Sequence, residues 1–398
     1  MARRWKTTFL AAPASALVLL SSTSLVCAAS TDELLAAARK EGQLTVMALP
    51  RDWCQYGRII DGFKAKYGLA VEELSPEATS EEELDAIRAA RDNGDPQAPD
   101  VIDIGLSFAT SARSDGLLQP YKVSTWETIP DAAKNTEGYW YGDYYGLLAF
   151  EVNLDRVSRL PTDWADLASP EYKESVGLAG SLGSNHAVQS VIGAGLSATS
   201  GRIDGAAERG LEYFAELNRR GNFVPIVGST KSVLDGRTPI LIRWDYLALA
   251  DREAHRDKAR IEVVWPRTGL VAGIYVQAIS AHARHPNAAR LWMEYLYSDE
   301  GQLTLLGGHC NPIRFDSLVH DGKIPVSLQE RLPDLGDEKG RIRPVFPTAK
   351  QQDRARETIL NGWDGIVGVT IECTPPEEAE PVPMSLNEPS TLVCAAVQ

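Results

Sequence analysis

No Walker loop, no Gly-x-Ser-x-Gly and no His-Glu-x-x-His occurs in this sequence. Nucleotide hydrolysis on a phosphate-cradling loop, acyl transfer at a nucleophile elbow and zinc proteolysis therefore have no local motif behind them. Cysteine is scarce, five in 398 residues, and no pair has the two-residue spacing of a zinc site. The six histidines, His282 and His285 among them, form no ligand set. Positive charge is short as well: 40 lysines and arginines stand against 54 aspartates and glutamates, a formal charge of −14. A nucleic-acid binder carries a basic face, so the balance argues against that class and mildly suits a cationic ligand. Beyond the N-terminus no apolar run reaches the about 20 residues of a membrane-spanning helix.

The N-terminus is apolar and ordered in its composition. MARRWK is a basic start, TTFLAAPASALVLLSSTSLV is apolar and broken by Pro13 and serines, and CAAS supplies small residues for cleavage. This is the layout of a secretory signal peptide rather than of a membrane span, and residues 1–29 are assigned to it. Loss of Arg3, Arg4 and Lys6, with no acid, takes the charge from −14 to −17. Cys27 could carry a lipid anchor, although Val26 stands where Gly or Ala is usual, so the anchor stays open. The expected location is periplasmic or extracellular. There a pair among Cys54, Cys310, Cys373 and Cys394 can bridge. The length suits two lobes or one large α/β body.

Periodicity gives the elements. TDELLAAARKE (31–41) has acids first and Gly42 after it, the signature of a short helix. QLTVMAL (43–49) reads as strand, 52–68 as helix stopped by Gly68, LAVEEL (69–74) as strand, 81–94 as helix with acids first and bases last, and PDVIDIG (99–105) as buried strand. Strand and helix alternate again over 176–180, 184–198, 206–221, 238–247, 261–266, 272–280 and 287–308, with 238–247 a strand running into a loop. The alternation predicts a parallel α/β sheet. Two breaks, near 147–153 and 266–273, divide the chain into two α/β units. Most of the last hundred structured residues are expected to pack away from the middle unit. From Cys373 the chain is rich in Pro and Glu without apolar period, and 373–398 is expected to be a disordered tail.

Three stretches resemble the extracellular solute-binding proteins of ABC importers, the group that includes polyamine, iron, phosphonate and thiamine binders. LPTDWADLASPEYKESVGLAG (160–180) is similar to the family's Pro-x-x-Trp-x-Asp-Leu followed by Pro-x-Tyr-Lys and a strand. HPNAARLWMEYLYSDEGQ (285–302) is similar to its Ala-Ala and Ser-x-Glu-Gly-Gln helix. APDVIDIG followed by GLLQPY (116–121) completes the match. The resemblance implies a type II periplasmic-binding-protein fold: two α/β lobes, two crossover strands and a ligand cleft between the lobes. Lobe one would hold 31–148 and 274–372, and lobe two 149–273. It implies a small-molecule ligand, no chemistry and no cofactor or metal. The partners would be an ABC permease and its ATPase, with membrane contact only through the permease or a lipid anchor. A monomer is expected.

Under that fold several residues become candidates. Trp53 follows the first strand at its carboxyl end, where ligands of open α/β sheets sit; a core tryptophan is the plainer reading. YWYGDYYG (139–146) puts five aromatics and one carboxylate into what reads as a Gly-punctuated loop before the first crossing. Aromatic faces and a carboxylate make a box for an alkylammonium group, and Trp140, Asp143 and Tyr145 are its candidates. RWDYL (243–247) repeats the chemistry in the other lobe with Trp244, Asp245 and Tyr246. Two such boxes facing across a cleft suit a polyamine or related organic cation. Packing at the lobe junction, and Asp245 as a helix cap, are the structural alternatives. Tyr275 and Gln277 share one face of the strand after the second crossing and are candidate polar contacts.

Other chemistries stay open. Ser184-Asn185-His186 start a helix, and free amides at a helix start bind anions, which would suit a phosphonate or carboxylate; an ordinary cap is the alternative. Tyr144-Tyr145 is a tyrosine pair of the kind that holds ferric iron in relatives, but it stands early in the chain. Gly193-x-Gly195-x-x-Ala198 lies inside a helix-like run and fails as a dinucleotide fingerprint. The family fold places Cys54 and Cys310 in lobe one, where a disulfide near the cleft lip is expected. A secreted enzyme and a receptor-coupled sensor remain the rival readings.

Overall fold

The computed structural model describes residues 31–93, 98–329 and 343–372. The assigned signal peptide, Cys27 and the 373–398 tail lie outside the described residues.

The chain begins with α1 (Thr31–Glu41), β1 (Gln43–Met47), α2 (Tyr56–Tyr67), β2 (Ala70–Leu74), α3 (Ser80–Asn93), β3 (Val101–Gly105), α4 (Leu106–Ser114) and β4 (Leu118–Gln119). The long β5 (Tyr141–Asn153) leads to β6 (Val176–Ala179), α5 (Asn185–Ala198), α6 (Ala206–Arg220), β7 (Phe223–Gly228), α7 (Thr230–Asp235), β8 (Ile240–Trp244), α8 (Asp245–Ala254) and β9 (Ile261–Val264). Then follow β10 (Ala272–Ser280), α9 (Pro286–Leu296), α10 (Asp299–Gly307), β11 (Asn311–Pro312), α11 (Phe315–His320), α12 (Val326–Gln329) and α13 (Ala349–Ile366). The apolar spacing and end charges explain most of these. In α6 Ala207, Leu211, Phe214 and Leu217 are buried at intervals of three and four, with Glu208 first and Arg219, Arg220 last.

One curled mixed sheet carries both units, in the order β2-β1-β3-β10-β5-β8-β6-β7. Its wings are parallel, as expected: β1 with β2 and β3, and β6 with β7 and β8. Its centre is antiparallel, because β10 and β5 run against their neighbours. β5 changes partner in mid-strand. Residues up to Leu147 pair with β10, and residues from Leu148 pair with β8 and β9. This is how one strand crosses between two α/β halves, and the segment from β9 into β10 crosses back beside it.

Two local readings are corrected. YWYGDYYG is not a loop: from Tyr141 it is the start of β5, almost wholly buried. Its glycines read as turn residues but are packing sites. A Cβ on Gly146 would sit 2.7 Å from the Tyr246 ring, and one on Gly142 would sit 3.0 Å from Ile274 and Ile313. Likewise β8 does not run into a loop, since α8 begins at Asp245 directly.

The C-terminal helix also departs from simple expectation. α13 packs on α6 and α5 of the second half and on α4 of the first. Trp363 lies against Phe214 and Phe223, and Gln352 accepts a buried 2.6 Å hydrogen bond from Gln189 of α5. After the helix, Glu372 bridges to Ile226 beside β7.

Candidate functional site

A small cavity lies where the two halves meet. The first half supplies Thr79 and Ser80 at the start of α3, and Phe108 of α4. The second supplies Gly183 and Ser184 with Asn185 and His186, the start of α5. Tyr275 of β10 closes the back. The cavity measures about 10 Å3, room for a single water molecule, so a solute needs the halves to part.

The sequence dictates this geometry locally. Ser184 is the N-cap of α5, its hydroxyl accepting from Ala187 N at 3.3 Å. Thr79 and Glu82 bond reciprocally at the start of α3. A helix leaves its first amides without intrahelical partners, and its dipole places partial positive charge there. Two such helix starts therefore converge on the cavity.

The side chains around it are donors. Gln189 Nε2 donates to Asn185 Oδ1 at 3.5 Å, which fixes the amide so that Nδ2 is the free end. That Nδ2 is enclosed and has no partner among the described residues. His186 accepts at Nε2 from Trp244 N at 3.4 Å, so its proton sits on Nδ1, also enclosed without a partner. Burial, then the Arg243 charge, holds the imidazole neutral, well below its ordinary pKa. Burial likewise raises the Tyr275 phenol above its ordinary value and keeps its hydroxyl protonated. Leaving the Asn185 and His186 donors unmatched costs about 1–3 kcal/mol each, so a ligand or water that accepts from them recovers that cost. No carboxylate lines the cavity.

The two halves touch closely around it. Trp53 lies edge-on to His186 and Tyr246, with ring centres 6.0 and 5.9 Å away. The Asn185 side chain packs on the backbone of Gly105, where an added Cβ would meet its Cγ at 2.8 Å. Cys54 and Cys310 form a disulfide, with Cα atoms 5.3 Å apart, behind the Trp53 turn.

Of the nine residues singled out for the cation box and its polar contacts, only Tyr275 lines the cavity, whereas the helix start Ser184-Asn185-His186, named as the anion alternative, lines it throughout. Trp53 caps the contact between the halves. Trp244 and Tyr246 are buried in the junction: Trp244 fills the space over Gly273, and Tyr246 meets Tyr144 edge-on at 5.7 Å. Tyr145 is half-buried against Phe346, and Trp140 lies in a separate groove. Gln277 points inward, donating to Tyr56 Oη at 3.3 Å and accepting from Trp292 Nε1 at 3.2 Å. β10 keeps its own alternation, and the bulge lies on its partner: β5 has one extra residue, Asp143, opposite the Tyr275–Val276 step.

The two aspartates are bonded within the protein. Asp143 is buried and accepts from the Tyr56 hydroxyl and from Tyr144 N. Asp245 accepts from Leu147 N and Tyr246 N, both at 2.9 Å, and from Trp265 Nε1 at 3.0 Å. Burial pushes both carboxyls up to about 7, against the hydrogen bonds that hold them down. Tyr144 and Tyr145 are successive strand residues on opposite faces, a placement that cannot aim both hydroxyls at one ion. No group of three or more His, Cys, Asp or Glu able to hold a metal occurs among the described residues. Sequence reasoning missed Thr79, Ser80, Phe108 and Gly183. The Thr79-x-x-Glu82 capping box was the signal that a helix starts there.

Two α/β halves sharing crossing strands and closing on a donor-lined cavity define a two-lobe solute-binding protein. The chain belongs to the bacterial extracellular solute-binding protein family, whose model matches residues 97–322. It is a binding protein rather than an enzyme. The fold is similar to the periplasmic binding protein P5PA, with TM-score 0.64, 21% identity and coverage of 82% of this chain and 99% of that one. It is also similar to AfuA from Actinobacillus pleuropneumoniae, solved with fructose-6-phosphate, at TM-score 0.65, 20% identity, 83% and 99%. Iron-bound HitA from Pseudomonas aeruginosa gives TM-score 0.60, 16% identity, 82% and 99%. No curated protein matches the sequence significantly.

Proposed function

We propose that the protein captures a small anionic solute, carrying a carboxylate or a phosphate-type group, between its lobes in the cell envelope. It then delivers the solute to the membrane permease of an ABC importer driven by an ATPase. Lobe one is residues 31–148 with the chain from 274, and lobe two is 149–273, with α13 spanning both. One observation carries the reading: two helix starts and the enclosed, unpartnered donors of Asn185 and His186 meet in a cavity that Tyr275 also lines and no carboxylate does. A polyamine would need the carboxylates of Asp143 and Asp245, and these are bonded to their own surroundings.

The test is a thermal-shift and calorimetric screen of the exported protein against sugar phosphates, phosphonates, carboxylates, putrescine, spermidine and ferric citrate. A solute at a hundred times its dissociation constant adds about 2.7 kcal/mol of stability, which the screen resolves. The expected result is a shift with an anion that is lost in Asn185→Asp. A shift with spermidine alone, lost in Asp245→Asn and kept in Asn185→Asp, overturns the anionic reading in favour of the cation box.

A further inference from the structure

A second concavity, of about 750 Å3, lies apart from the cleft cavity and shares no residue with it. Its walls are the end of α4, the Asn135–Trp140 turn and the start of α13. Small-molecule sites have volumes of about 300–1,000 Å3, so its size suits a bound solute.

Its chemistry is unlike the rest of the surface. In a chain with 54 acidic residues, no carboxylate lines this groove, while Arg113 and Lys350 both do. Arg113 lies 5.0 Å over the Tyr139 ring and pairs with Glu137 of the same turn. Lys350 is exposed, with no ion pair among the described residues. The start of α13, an 18-residue helix, opens here. Thr348 accepts from Gln351 N, and the first amides, those of Ala349 and Lys350, have no partner within the helix and belong to residues that line the groove.

An independent observation comes from Trp140. The residue is only 8% exposed and lines the groove, and its indole Nε1 has no hydrogen-bond partner among the described residues. It is not among the enclosed unpartnered atoms, so it keeps contact with solvent. A buried indole normally finds an acceptor. Here the acceptor is water or a bound group.

We propose that this groove is a second binding site, for a small organic anion with a flat apolar body. Its carboxylate or phosphate sits at the start of α13 beside Lys350 and accepts from Trp140 Nε1, and its body lies against Tyr139 and Leu118. This site does not depend on the nature of the cleft ligand.

Phenylacetate is the probe, titrated into full-length protein carrying 15N-labelled tryptophan. The Trp140 indole signal is assigned by its loss in Trp140→Phe. The expected result is a saturable shift of that signal. Lys350→Glu, an exposed substitution that leaves the fold intact, weakens the affinity at least fivefold. Asn185→Asp, which impairs the cleft, leaves the titration unchanged. A Trp140 signal that does not move, or one that moves equally in Lys350→Glu, overturns the proposal. Removal of 373–398, a stretch with four glutamates and no lysine or arginine, tests the other occupant. If the deletion itself moves the Trp140 signal, the chain's own tail fills the groove and the small-anion site is refuted.

Discussion

Closing of the lobes can be blocked without touching the solute. Gly105 ends β3 in extended geometry, at φ −60° and ψ 142°, which alanine adopts freely. In the closed structure an alanine Cβ would stand 2.8 Å from Asn185 Cγ and 3.1 Å from its Cβ and Nδ2. Ordinary carbon contacts need about 3.5–4.0 Å, so the lobes must part by about 0.7–1.2 Å or Asn185 must turn away. Turning costs the Gln189 bond that orients its amide. Overpacking of this kind costs about 1–3 kcal/mol. Because the clash exists only when the lobes meet, the whole cost falls on closure, and solute affinity drops about 5- to 150-fold. Calorimetry gives the affinity, and small-angle scattering of the solute-bound protein shows a larger radius of gyration in Gly105→Ala. Part of any change in Tm comes from the α4 N-cap, where alanine is poorer than glycine, so Tm is not the readout. Gly105→Ala with native affinity and native compaction would refute the closing contact.

Two further outcomes are expected. Asp143 and Asp245 have folded pKa values raised to about 7 from 3.8, so the folded state holds protons that the unfolded chain gives up. Their stabilisation is complete below the unfolded pKa and is lost as pH rises through about 7. Urea midpoints therefore fall from pH 5 to pH 7.5, and Asp245→Asn, which keeps the acceptor for Leu147 and Tyr246, shows a shallower slope; an unchanged slope refutes the assignment. The Cys54–Cys310 bridge joins residues 256 apart, and chain entropy sets its ceiling at about 5.5 kcal/mol. The double alanine variant loses about 2–5 kcal/mol in urea unfolding and also binds solute more weakly, because the Trp53 turn loses its anchor. Full stability in that variant contradicts the first part, and unchanged affinity contradicts the second.

Much of the fold was readable in short windows. α1, α3 and α6 announce themselves by apolar spacing, by acids first and bases last, and by glycines after α1 and α6. β3 and β10 show as short apolar runs. The aromatic stretch 139–146 was misread because tyrosine and glycine together look like a turn. In the molecule each glycine makes space for a ring or branched chain from another element, Tyr246 at Gly146 and Ile313 at Gly142. α13 was not foreseen, and its packing across both halves depends on Trp363 and Gln352 finding partners about 150 residues earlier.

By itself the sequence determined the class of the molecule: an acidic chain with alternating strands and helices, resembling a solute binder. These signals are local, since each rests on residues within one or two turns or one strand. What only the tertiary structure decided is which polar groups are free. A carboxylate among aromatics reads as a cation box whether or not Tyr56, Leu147 and Trp265 reach it first. Asn185 reads as an ordinary helix start until Gln189 holds its oxygen and Ser80, 105 residues earlier, faces it across the cavity. Free valence is what remains after every neighbour has been counted, and those neighbours are set by folding, not by adjacency in the chain.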